Sequence, residues 1–560
     1  MKYTIRSITL AVTLALGLAA CGGSDDPAPP ETGGGSPPPV IVNPPPAATF
    51  TLTLATDKVV LMQGGTASVR ATITRSAGFD AAVTIELSGL PAGVSAAPVV
   101  VGAGASKVDI VLAATTAAPH SLPTTGSAEG RAAGQSASKP LTVTVRGLAG
   151  DVDTSFASGG TVITPVDIGE DYANAVAVQN DGKLLVAGSS ATVQGTKVSL
   201  LRYRRDGGLD ASFGNGGKVL TPLGARGNDS ASAIAVQADG KIVVAGSSDQ
   251  GGTAGLDFAL LRYNADGSLD ATFGNGGIVL TDLGSATDRA WALLLTADGK
   301  IVLGGETNTG STAGGVDFAL ARYLGNGTLD TGFGNGGKVV TALKSATGTD
   351  IVRALAVQTV AGKTRIVAAG GEGDFIAARY TDAGTLDAGF GVNGKVVGLF
   401  NATIGSARAI AVLPGGEAVL AGHIGHNFAA VQLTADGQLD NRFGAAHDGR
   451  FTMAVSTTNW DEATALVRQS DGKLILGGWV FSGNSSAGDF AAVRLNGDGS
   501  IDAGFGNAGV TIKPMAAATK NDLAHAAALQ ADERIPSVRA IVAGEAGGSN
   551  NDVALTRLWL

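Results

Sequence analysis

Hydrophobic and polar positions follow a recurring pattern along the C-terminal three-quarters of the chain, which is clearest in one unit. Ala231–Val236 and Ile242–Gly246 flank an Asp-Gly pair at 239–240, which is a strong signal for a tight β-hairpin. A loop then leads to Asp257–Tyr263, a second Asp-Gly pair, and a short apolar run at 278–280. The pattern predicts four consecutive antiparallel strands in this unit.

The unit is repeated, and a short motif marks each copy. Asp-x-x-Phe ends at seven phenylalanines, which lie 57, 60, 60, 57, 53 and 62 residues apart. They are Phe156, Phe213, Phe273, Phe333, Phe390, Phe443 and Phe505. A fixed period of this length indicates a repeat architecture, and four strands per copy is the strand count of a propeller blade. Residues 148–560 are therefore predicted to form an all-β, seven-bladed β-propeller with four-stranded blades.

These copies resemble the delta-60 repeat family of bacterial proteins, because they share the offsets between their Asp-Gly pairs and the Asp-x-x-Phe motif. The resemblance implies a β-propeller and carries no agreed activity. The copies also decay, since Gln432 stands where the other six have arginine. Those arginines are Arg202, Arg262, Arg322, Arg379, Arg494 and Arg557.

The phase of the repeats predicts how the propeller closes. The region begins with Asp153-x-x-Phe156 and the strand Thr161–Thr164, which correspond to the fourth strand of a unit. It ends at Asp552–Leu560, which corresponds to the third strand. Because a closed ring has no free sheet edges, the N-terminal strand is expected to pair with the C-terminal one and complete the last blade. An open solenoid is the alternative.

Residues 48–147 are predicted to form a small β-sandwich. Short runs such as Ala67–Ile73 and Ala82–Leu87 alternate polar and apolar residues with period two, as half-buried strands do. Further strands are expected at Phe50–Leu54, Lys107–Leu112 and Pro140–Val145. The segment Ser88–Val94 resembles a turn common in bacterial immunoglobulin-like domains, which implies an immunoglobulin-like sandwich.

The first 47 residues predict export and anchoring. Lys2 and Arg6 precede an apolar run that is too short to span a bilayer, so residues 1–20 are predicted to be a signal peptide. Leu18-Ala19-Ala20-Cys21 resembles the bacterial lipobox, which implies lipid attachment at Cys21. Gly22 follows rather than aspartate, which implies an outer membrane lipoprotein, facing the periplasm or the cell surface. The Pro- and Gly-rich stretch 21–47 is predicted to be an extended tether.

Charge and composition limit the possible partners. Without residues 1–20, 37 basic residues face 48 acidic ones, a net charge of −11. An acidic chain without a basic cluster argues against nucleic acid as a partner. The membrane is expected as a partner only through the lipid, and a glycan or an envelope protein is the candidate ligand. No cofactor and no metal are predicted.

The recurrent residues are interpreted as structural. A site that is used once does not need seven copies of its acid, so the aspartates of Asp-x-x-Phe are expected to cap turns and the phenylalanines to fill the space between blades. The arginines are expected to form ion pairs or hydrogen bonds within or between blades. Calcium binding by Asn264–Asp270 was the alternative, but Arg262 and Phe273 would occupy the first and last ligand positions.

Candidate binding residues lie on the face opposite the Asp-Gly turns, where the loops vary most. An acidic position recurs before each predicted innermost strand, at Asp171, Asp229, Asp288, Asp350, Asp461 and Asp522, with Gly405 in the remaining unit. Either these aspartates cap turns, or they form a negative collar around a channel mouth. Three residues further on the identity varies, at Asn174, Ser232, Trp291, Arg353, Arg408, Thr464 and His525. A recognition surface and drift at exposed positions both explain this variation.

Two functions remain after this reading. The first is a membrane-anchored lipoprotein whose propeller is a non-catalytic binding scaffold in the cell envelope, with Trp291, Arg353, Arg408, His525 and the six aspartates as candidate ligand-binding residues. The alternative is an extracytoplasmic propeller hydrolase or lyase that acts on polysaccharide. No catalytic residues are predicted, because no nucleophile elbow, Walker-type loop or zinc-like histidine spacing occurs.

Overall fold

A computed structural model describes residues 47–224, 226–251, 255–284, 287–308, 315–343, 349–456, 460–481, 487–515, 521–532, 537–547 and 550–560. The chain divides into two compact units, Met1–Ala48 and Thr49–Leu560, and the second contains every strand given below. In these ranges no helix has the length and apolar character needed to cross a membrane. The predictions for the signal peptide, Cys21 and nearly all of the tether lie outside the described residues.

Two sheets occupy the first hundred residues of the second unit. One has the strand order β1-β3-β7-β5 and the other β2-β9-β8-β4-β6. The strands are β1 (Phe50–Leu54), β2 (Lys58–Met62), β3 (Thr66–Arg75), β4 (Val83–Ser88), β5 (Val94–Ala96), β6 (Val99–Val101), β7 (Lys107–Ala114), β8 (Thr124–Ala132) and β9 (Gln135–Arg146). Alternation in β3 buries Val69, Ala71 and Ile73, as its period-two pattern predicts.

Seven four-stranded antiparallel sheets follow, numbered here sheet 1 to sheet 7. Sheets 1 to 6 each use four consecutive strands, and sheet 7 has the order β10-β37-β36-β35. The strands are β10 (Thr161–Thr164); β11 (Asp171–Val178), β12 (Leu184–Thr192), β13 (Gly195–Tyr203), β14 (Lys218–Thr221); β15 (Asp229–Val236), β16 (Ile242–Gly251), β17 (Gly255–Tyr263), β18 (Ile278–Thr281); β19 (Asp288–Leu295), β20 (Ile301–Thr307), β21 (Asp317–Tyr323), β22 (Lys338–Thr341); β23 (Val352–Val360), β24 (Lys363–Gly370), β25 (Ile376–Tyr380), β26 (Lys395–Val396); β27 (Gly405–Val412), β28 (Ala418–Ile424), β29 (Asn427–Leu433), β30 (Arg450–Met453); β31 (Asp461–Arg468), β32 (Leu474–Phe481), β33 (Gly488–Leu495), β34 (Val510–Lys513); β35 (Asp522–Asp532), β36 (Ser537–Gly547) and β37 (Asn551–Trp559).

The Asp-Gly pairs turn the chain between strands, as the sequence predicts. In sheet 2 the Gly240 amide donates to the carbonyl of Gln237 over 3.0 Å, and the Lys241 amide donates to the Asp239 carboxylate over 3.1 Å. Gly240 has a φ of 85°, which glycine adopts without the steric cost of a Cβ. The turn therefore needs both residues of the pair.

The N-terminal and C-terminal strands of the repeat region share one sheet. Strand β10 pairs antiparallel with β37, in a register that places Thr161 opposite Thr556 and Thr164 opposite Val553. The first strands of neighbouring sheets contact one another in sequence from β11 to β35, and β35 contacts β11 in turn. The predicted pairing of these strands is confirmed, and the all-β architecture with its four-stranded sheets is consistent with a β-propeller.

A recurrent Arg–Asp–Phe group joins each sheet to the next. In sheet 2 the Arg262 guanidinium donates to Asp270 Oδ2 over 2.8 Å and lies 4.3 Å from the centre of the Phe273 ring. Its Nη1 also donates to the carbonyl of Gly325 in sheet 3 over 2.5 Å. The same arrangement occurs at Arg202–Asp210–Phe213, Arg322–Asp330–Phe333, Arg379–Asp387–Phe390, Arg494–Asp502–Phe505 and Arg557–Asp153–Phe156. The structural interpretation of these residues is confirmed.

Sheet 5 retains the aspartate although its arginine is lost. Gln432 Nε2 donates to Asp440 Oδ2 over 2.8 Å. Arg442, whose side chain is 74% exposed, donates to the same carboxylate at 2.7 Å and supplies the missing charge from the solvent side. Because of these contacts the pKa of Asp440 lies far below its usual range.

The sandwich contacts the propeller region through His120 and Trp559. Trp559 Nε1 donates to His120 Nδ1 over 3.1 Å, and the Thr154 amide donates to the same nitrogen over 3.3 Å. The two rings meet edge to face at 5.6 Å between centroids. Since both donors use Nδ1, this contact requires neutral imidazole with its proton on Nε2.

Acidification is expected to weaken this contact. Burial lowers the pKa of His120, against the opposing charges of Asp153 and Asp151. The folded state therefore binds the proton less readily than the unfolded chain, and stability falls as the pH drops through about 6.5. Calorimetry of the full chain should show a larger loss of Tm between pH 7.5 and 5.5 than in His120→Asn, which keeps an acceptor oxygen and does not titrate. Equal losses in both proteins would contradict this assignment.

Candidate functional site

Each of the seven first strands carries a β-bulge at the same place. In β19, Ala290 pairs with Gly305 and Ala292 with Gly304, so Trp291 is one extra residue without a partner in the ladder. These extra residues, called the bulge positions below, are Asn174, Ser232, Trp291, Arg353, Arg408, Thr464 and His525. Bulges re-aim side chains and are common beside binding and active sites. The seven variable residues of the sequence are therefore the bulge residues.

A glycine opposite each bulge makes this geometry possible. In sheet 3 a Cβ on Gly305 would overlap the carbonyl oxygen of Arg289, which the bulge brings close. The same close approach occurs at Gly188, Gly246, Gly370, Gly422, Gly478 and Gly544. The scaffold therefore fixes the backbone at every bulge position and leaves the side chain free to differ. All seven side chains are half-buried.

Bulge residues contact one another from sheet to sheet. Asn174 Nδ2 donates to the carbonyl of Ala231 over 2.8 Å, and Thr464 Oγ1 donates to that of Ala524 over 2.8 Å. The Arg353 guanidinium lies 4.4 Å from the centre of the Trp291 ring, a cation–π contact. The structure thus brings Trp291 and Arg353 together, as expected of residues on one surface.

Charged pairs surround the arginines of this face. Arg353 Nη2 lies 3.2 Å from Glu372 Oε1, and Arg408 Nε lies 2.6 Å from Glu462 Oε1. Burial raises the pKa of Glu462, but the hydrogen bond from His423 and the charge of Arg408 together bring it below its usual value. Glu462 is therefore ionised at neutral pH and is held by its cationic neighbours.

Two hydrogen-bond donors at the bulge positions have no acceptor. Trp291 Nε1 and Arg353 Nε are both buried and unpartnered. Burial and the nearby charge of Arg408 lower the pKa of Arg353. A buried donor without an acceptor costs about 1–3 kcal/mol, so this corner favours a ligand that supplies acceptor atoms.

His525 lies apart from that corner and has its own partner. Its Nε2 is 2.5 Å from Glu545 Oε2, and Glu545 is only 3% exposed. The pair joins the first two strands of sheet 7 near their ends, because Leu523 pairs with Glu545. His525 therefore shares the bulge geometry with Trp291 and Arg353.

The six predicted aspartates cap the connections between sheets. Their exposure is 0–1%, and one oxygen of each accepts a backbone amide hydrogen bond of 2.6–2.9 Å from the preceding connection. These residues are Asp171, Asp229, Asp288, Asp350, Asp461 and Asp522. They do not form an exposed negative collar, because burial and backbone bonding remove the carboxylates from solvent. The alternative of turn capping agrees with these contacts.

Asp374 takes over this role in the unit with Gly405. Its carboxylate accepts hydrogen bonds from the amides of Phe400 and Ala402, at 3.0 and 3.2 Å, in the connection that leads to β27. Asp374 lies on the third-strand side, 31 positions before the glycine, so the sequence alignment of the repeats did not reveal it. The cap is thus present although its usual residue is missing.

Comparison with known protein families locates the same repeats. Residues 179–213, 237–273, 296–333 and 469–505 match the family model described as "Domain of unknown function (DUF5122) beta-propeller". The matches support a β-propeller repeat family. Each matched segment of the β-propeller repeat runs from the first hairpin to the phenylalanine of Asp-x-x-Phe, so the bulge positions lie outside the matched segments.

Other comparisons add little to the β-propeller repeat. No curated protein matches the chain. Among solved structures, an ICAM-5 D1–D4 ectodomain fragment is 10% identical, covering 91% of this chain and 100% of that chain with a TM-score of 0.15. Domains 4–9 of the surface layer protein SbsC are 10% identical, covering 91% of this chain and 82% of that chain with a TM-score of 0.14. Scores this low carry no argument about fold.

A cavity of about 540 Å³ lies on the face with the Asp-Gly turns, between sheets 3 and 4 of the β-propeller repeats. Its lining includes Arg322 and Arg365. Arg322 donates to Asp330 and Asp382, and Arg365 donates to Asp387 over 2.6 Å. These charges belong to the structural Arg–Asp groups, so the cavity is a weaker candidate for a binding site than the bulge positions.

An acidic cluster was missed by the sequence analysis. Asp257 on β17, Asp282 after β18 and Asp288 on β19 place carboxylate oxygens within 4.8 Å of one another. Burial, with the charges of Asp282 and Asp288, raises the pKa of Asp257 to about 6. Only Asp288 lay at a recurrent position, and the strand arrangement that assembles the other two could not be derived from spacing alone.

Proposed function

We propose that this chain is a lipid-anchored binding scaffold of the bacterial cell envelope. In this proposal residues 1–20 are a signal peptide, Cys21 carries the lipid, and 21–47 tether the folded part to the outer membrane. Residues 48–147 form an immunoglobulin-like sandwich that acts as a spacer, and 148–560 form a seven-bladed propeller. The matches to a β-propeller repeat family support a binding scaffold.

The bulge positions carry this proposal. Seven sheets repeat one backbone geometry, with a glycine opposite each bulge, and place a different side chain there in almost every copy. A constant scaffold with variable residues is typical of recognition surfaces. We infer that the ligand contacts the bulge positions of sheets 3 to 5, where Trp291, Arg353 and Arg408 lie.

The chemistry of these residues favours a ligand rich in acceptor atoms. Trp291 Nε1 and Arg353 Nε lack acceptors, and arginine binds carboxylates well because its donors form a planar fork. An aromatic ring beside such donors suits a sugar, which offers hydroxyl groups and an apolar ring face. A glycan that carries carboxylates meets both requirements, and a carboxylate-rich segment of an envelope protein is the other occupant to be tested.

The carboxylates of this face favour binding over catalysis. Glu306, Glu372 and Glu462 lie 2.6–3.3 Å from Arg289, Arg353 and Arg408 respectively. A carboxylate beside arginine stays ionised, which makes it a poor general acid, whereas glycoside hydrolysis needs one protonated carboxyl group. The hydrolase or lyase alternative therefore has less support than the scaffold.

A combined binding and turnover screen tests the proposal. The full chain would be titrated with neutral and acidic cell-wall and extracellular polysaccharides and with carboxylate-rich peptides. We expect saturable binding of acidic glycans, weaker binding of neutral ones, and no change in ligand length. Release of shortened product would overturn the scaffold in favour of the enzyme, and absence of binding to every acidic glycan would overturn the glycan as ligand.

A further inference from the structure

The connection between sheets 2 and 3 holds three carboxylates from different strands. Asp257 lies on β17, Asp282 follows the last residue of β18, and Asp288 begins β19. One oxygen from each lies within 4.8 Å of the others, and this group is the only one of its kind in the described ranges. Two oxygens at about 2.4 Å from a shared ion can be at most about 4.8 Å apart, so this spacing suits ligands of one cation.

Asp257 gives independent support for a ligand here. Its side chain belongs to a residue that is only 7% exposed, and its Oδ1 is buried without a hydrogen-bond partner. A buried carboxylate oxygen needs a donor or a cation, because burial removes the water that would otherwise solvate it. This oxygen instead faces two further acids, which leaves a cation as the missing partner.

The nearest lysine is engaged in a contact of the repeat itself. Lys338 Nζ donates to the backbone carbonyl of Asp282 over 2.6 Å. Lys218 and Lys395 donate in the same way to the carbonyls of Pro165 and Ala342, where that residue is not acidic. Lys338 therefore has the same role as these lysines, whether or not Asp282 carries a carboxylate.

Comparison with the other sheets shows that the cluster is specific to one connection. The position of Asp257 is acidic in four other sheets, at Asp317, Asp374, Asp489 and Asp552. The position of Asp282 is occupied elsewhere by Pro165, Pro222, Ala342, Leu399, Ala454 and Pro514. Asp282 thus adds a third carboxylate that the repeat does not need for its own structure.

We propose that Asp257, Asp282 and Asp288 bind a calcium ion. Calcium takes six to eight oxygen ligands at about 2.3–2.6 Å in irregular geometry, whereas magnesium demands a nearly ideal octahedron. Three carboxylates supply part of that shell, and water completes it because Asp282 is exposed. The ion fixes the connection that leads into β19. This site is separate from the bulge positions, and it stands even if they bind no glycan.

Calorimetric titration of the chelator-treated full chain with calcium chloride tests the site, with magnesium chloride as the comparison. We expect one saturable calcium site, binding of magnesium at least ten-fold weaker, and a rise in Tm with calcium concentration. In Asp282→Asn, binding should weaken at least ten-fold while the fold is retained, because asparagine keeps the acceptor for the Gly284 amide.

A gain-of-site variant provides the matched control. Ala342 follows β22 as Asp282 follows β18, and Leu343 donates to Asp350 as Leu283 donates to Asp288, over 2.9 and 2.6 Å. Ala342→Asp should therefore add a second calcium site beside Asp317. Calcium binding that is absent in the wild type, or unchanged in Asp282→Asn, would overturn the proposal.

Discussion

Replacing Asp153 with alanine is expected to lower the free energy of unfolding by about 3–5 kcal/mol. Asp153 is fully buried, and its Oδ2 accepts from Arg539 Nε and from Arg557 Nε, each over 2.8 Å. Removing the carboxylate leaves two cations buried beside each other without their anion, which is the costly way to break a buried ion pair. The loss falls on the sheet that joins the two ends of the repeat region, so it should weaken the pairing of β10 with β37.

The equivalent change in sheet 5 is the control. Asp440→Ala removes the same turn residue, but it leaves the neutral Gln432 and the solvent-exposed Arg442. Its effect should be clearly smaller. Chemical denaturation, with hydrogen exchange of the β10 and β37 amides, measures both variants. Equal losses at the two positions would show that the buried arginines of sheet 7 do not set the stability of the closure.

Replacing Trp291 with alanine is expected to weaken ligand binding at least 30-fold, or about 2 kcal/mol, the usual effect of removing a central aromatic residue from an interface. The variant removes the ring beside Arg353 and the unpartnered Nε1 donor together. Trp291→Phe separates them, because it keeps a ring and loses the donor, so an intermediate loss is expected. Titration of the acidic glycan identified by the screen gives all three affinities.

Two controls distinguish a local effect from misfolding. Ser232→Ala changes another bulge position away from Arg353 and should bind nearly as the wild type does. Trp460→Ala removes a tryptophan that is 36% exposed and packs on His426, outside the bulge positions. Equal weakening by Trp460→Ala and Trp291→Ala, at unchanged Tm, would contradict the assignment of the site to the bulge positions.

Strand content and closure of the repeat region could be predicted because local signals agree there. Asp-Gly pairs mark the hairpins, and the Asp-x-x-Phe motif sets the phase that places β10 beside β37. In the sandwich the strands β2, β5, β6 and β8 were missed. Strands β5 and β6 have three residues each, and β8 contains Gly126 and Gly130, so none offers a long alternating pattern.

The candidate site was predictable in position and not in geometry. The variable residues were identified, but their bulges were not, although a glycine inside each second strand, such as Gly246 or Gly305, is a known sign of a bulge or a close backbone approach. The role of the aspartates depended on burial, which spacing does not give. Asp257, Asp282 and Asp288 meet only because neighbouring sheets bring separate strands together, so no local pattern could show the cluster.

Hydrogen–deuterium exchange of the full chain, with and without a saturating acidic glycan, tests the central claim most directly. Ligand bound at the bulge positions should slow exchange in β19, β23 and β27, and in the second strands that face them. Exchange at the Asp-Gly turns 237–241 and 296–300 on the opposite face should not change. Protection confined to those turns, or to the sandwich at 50–146, would contradict a recognition site at the bulge positions.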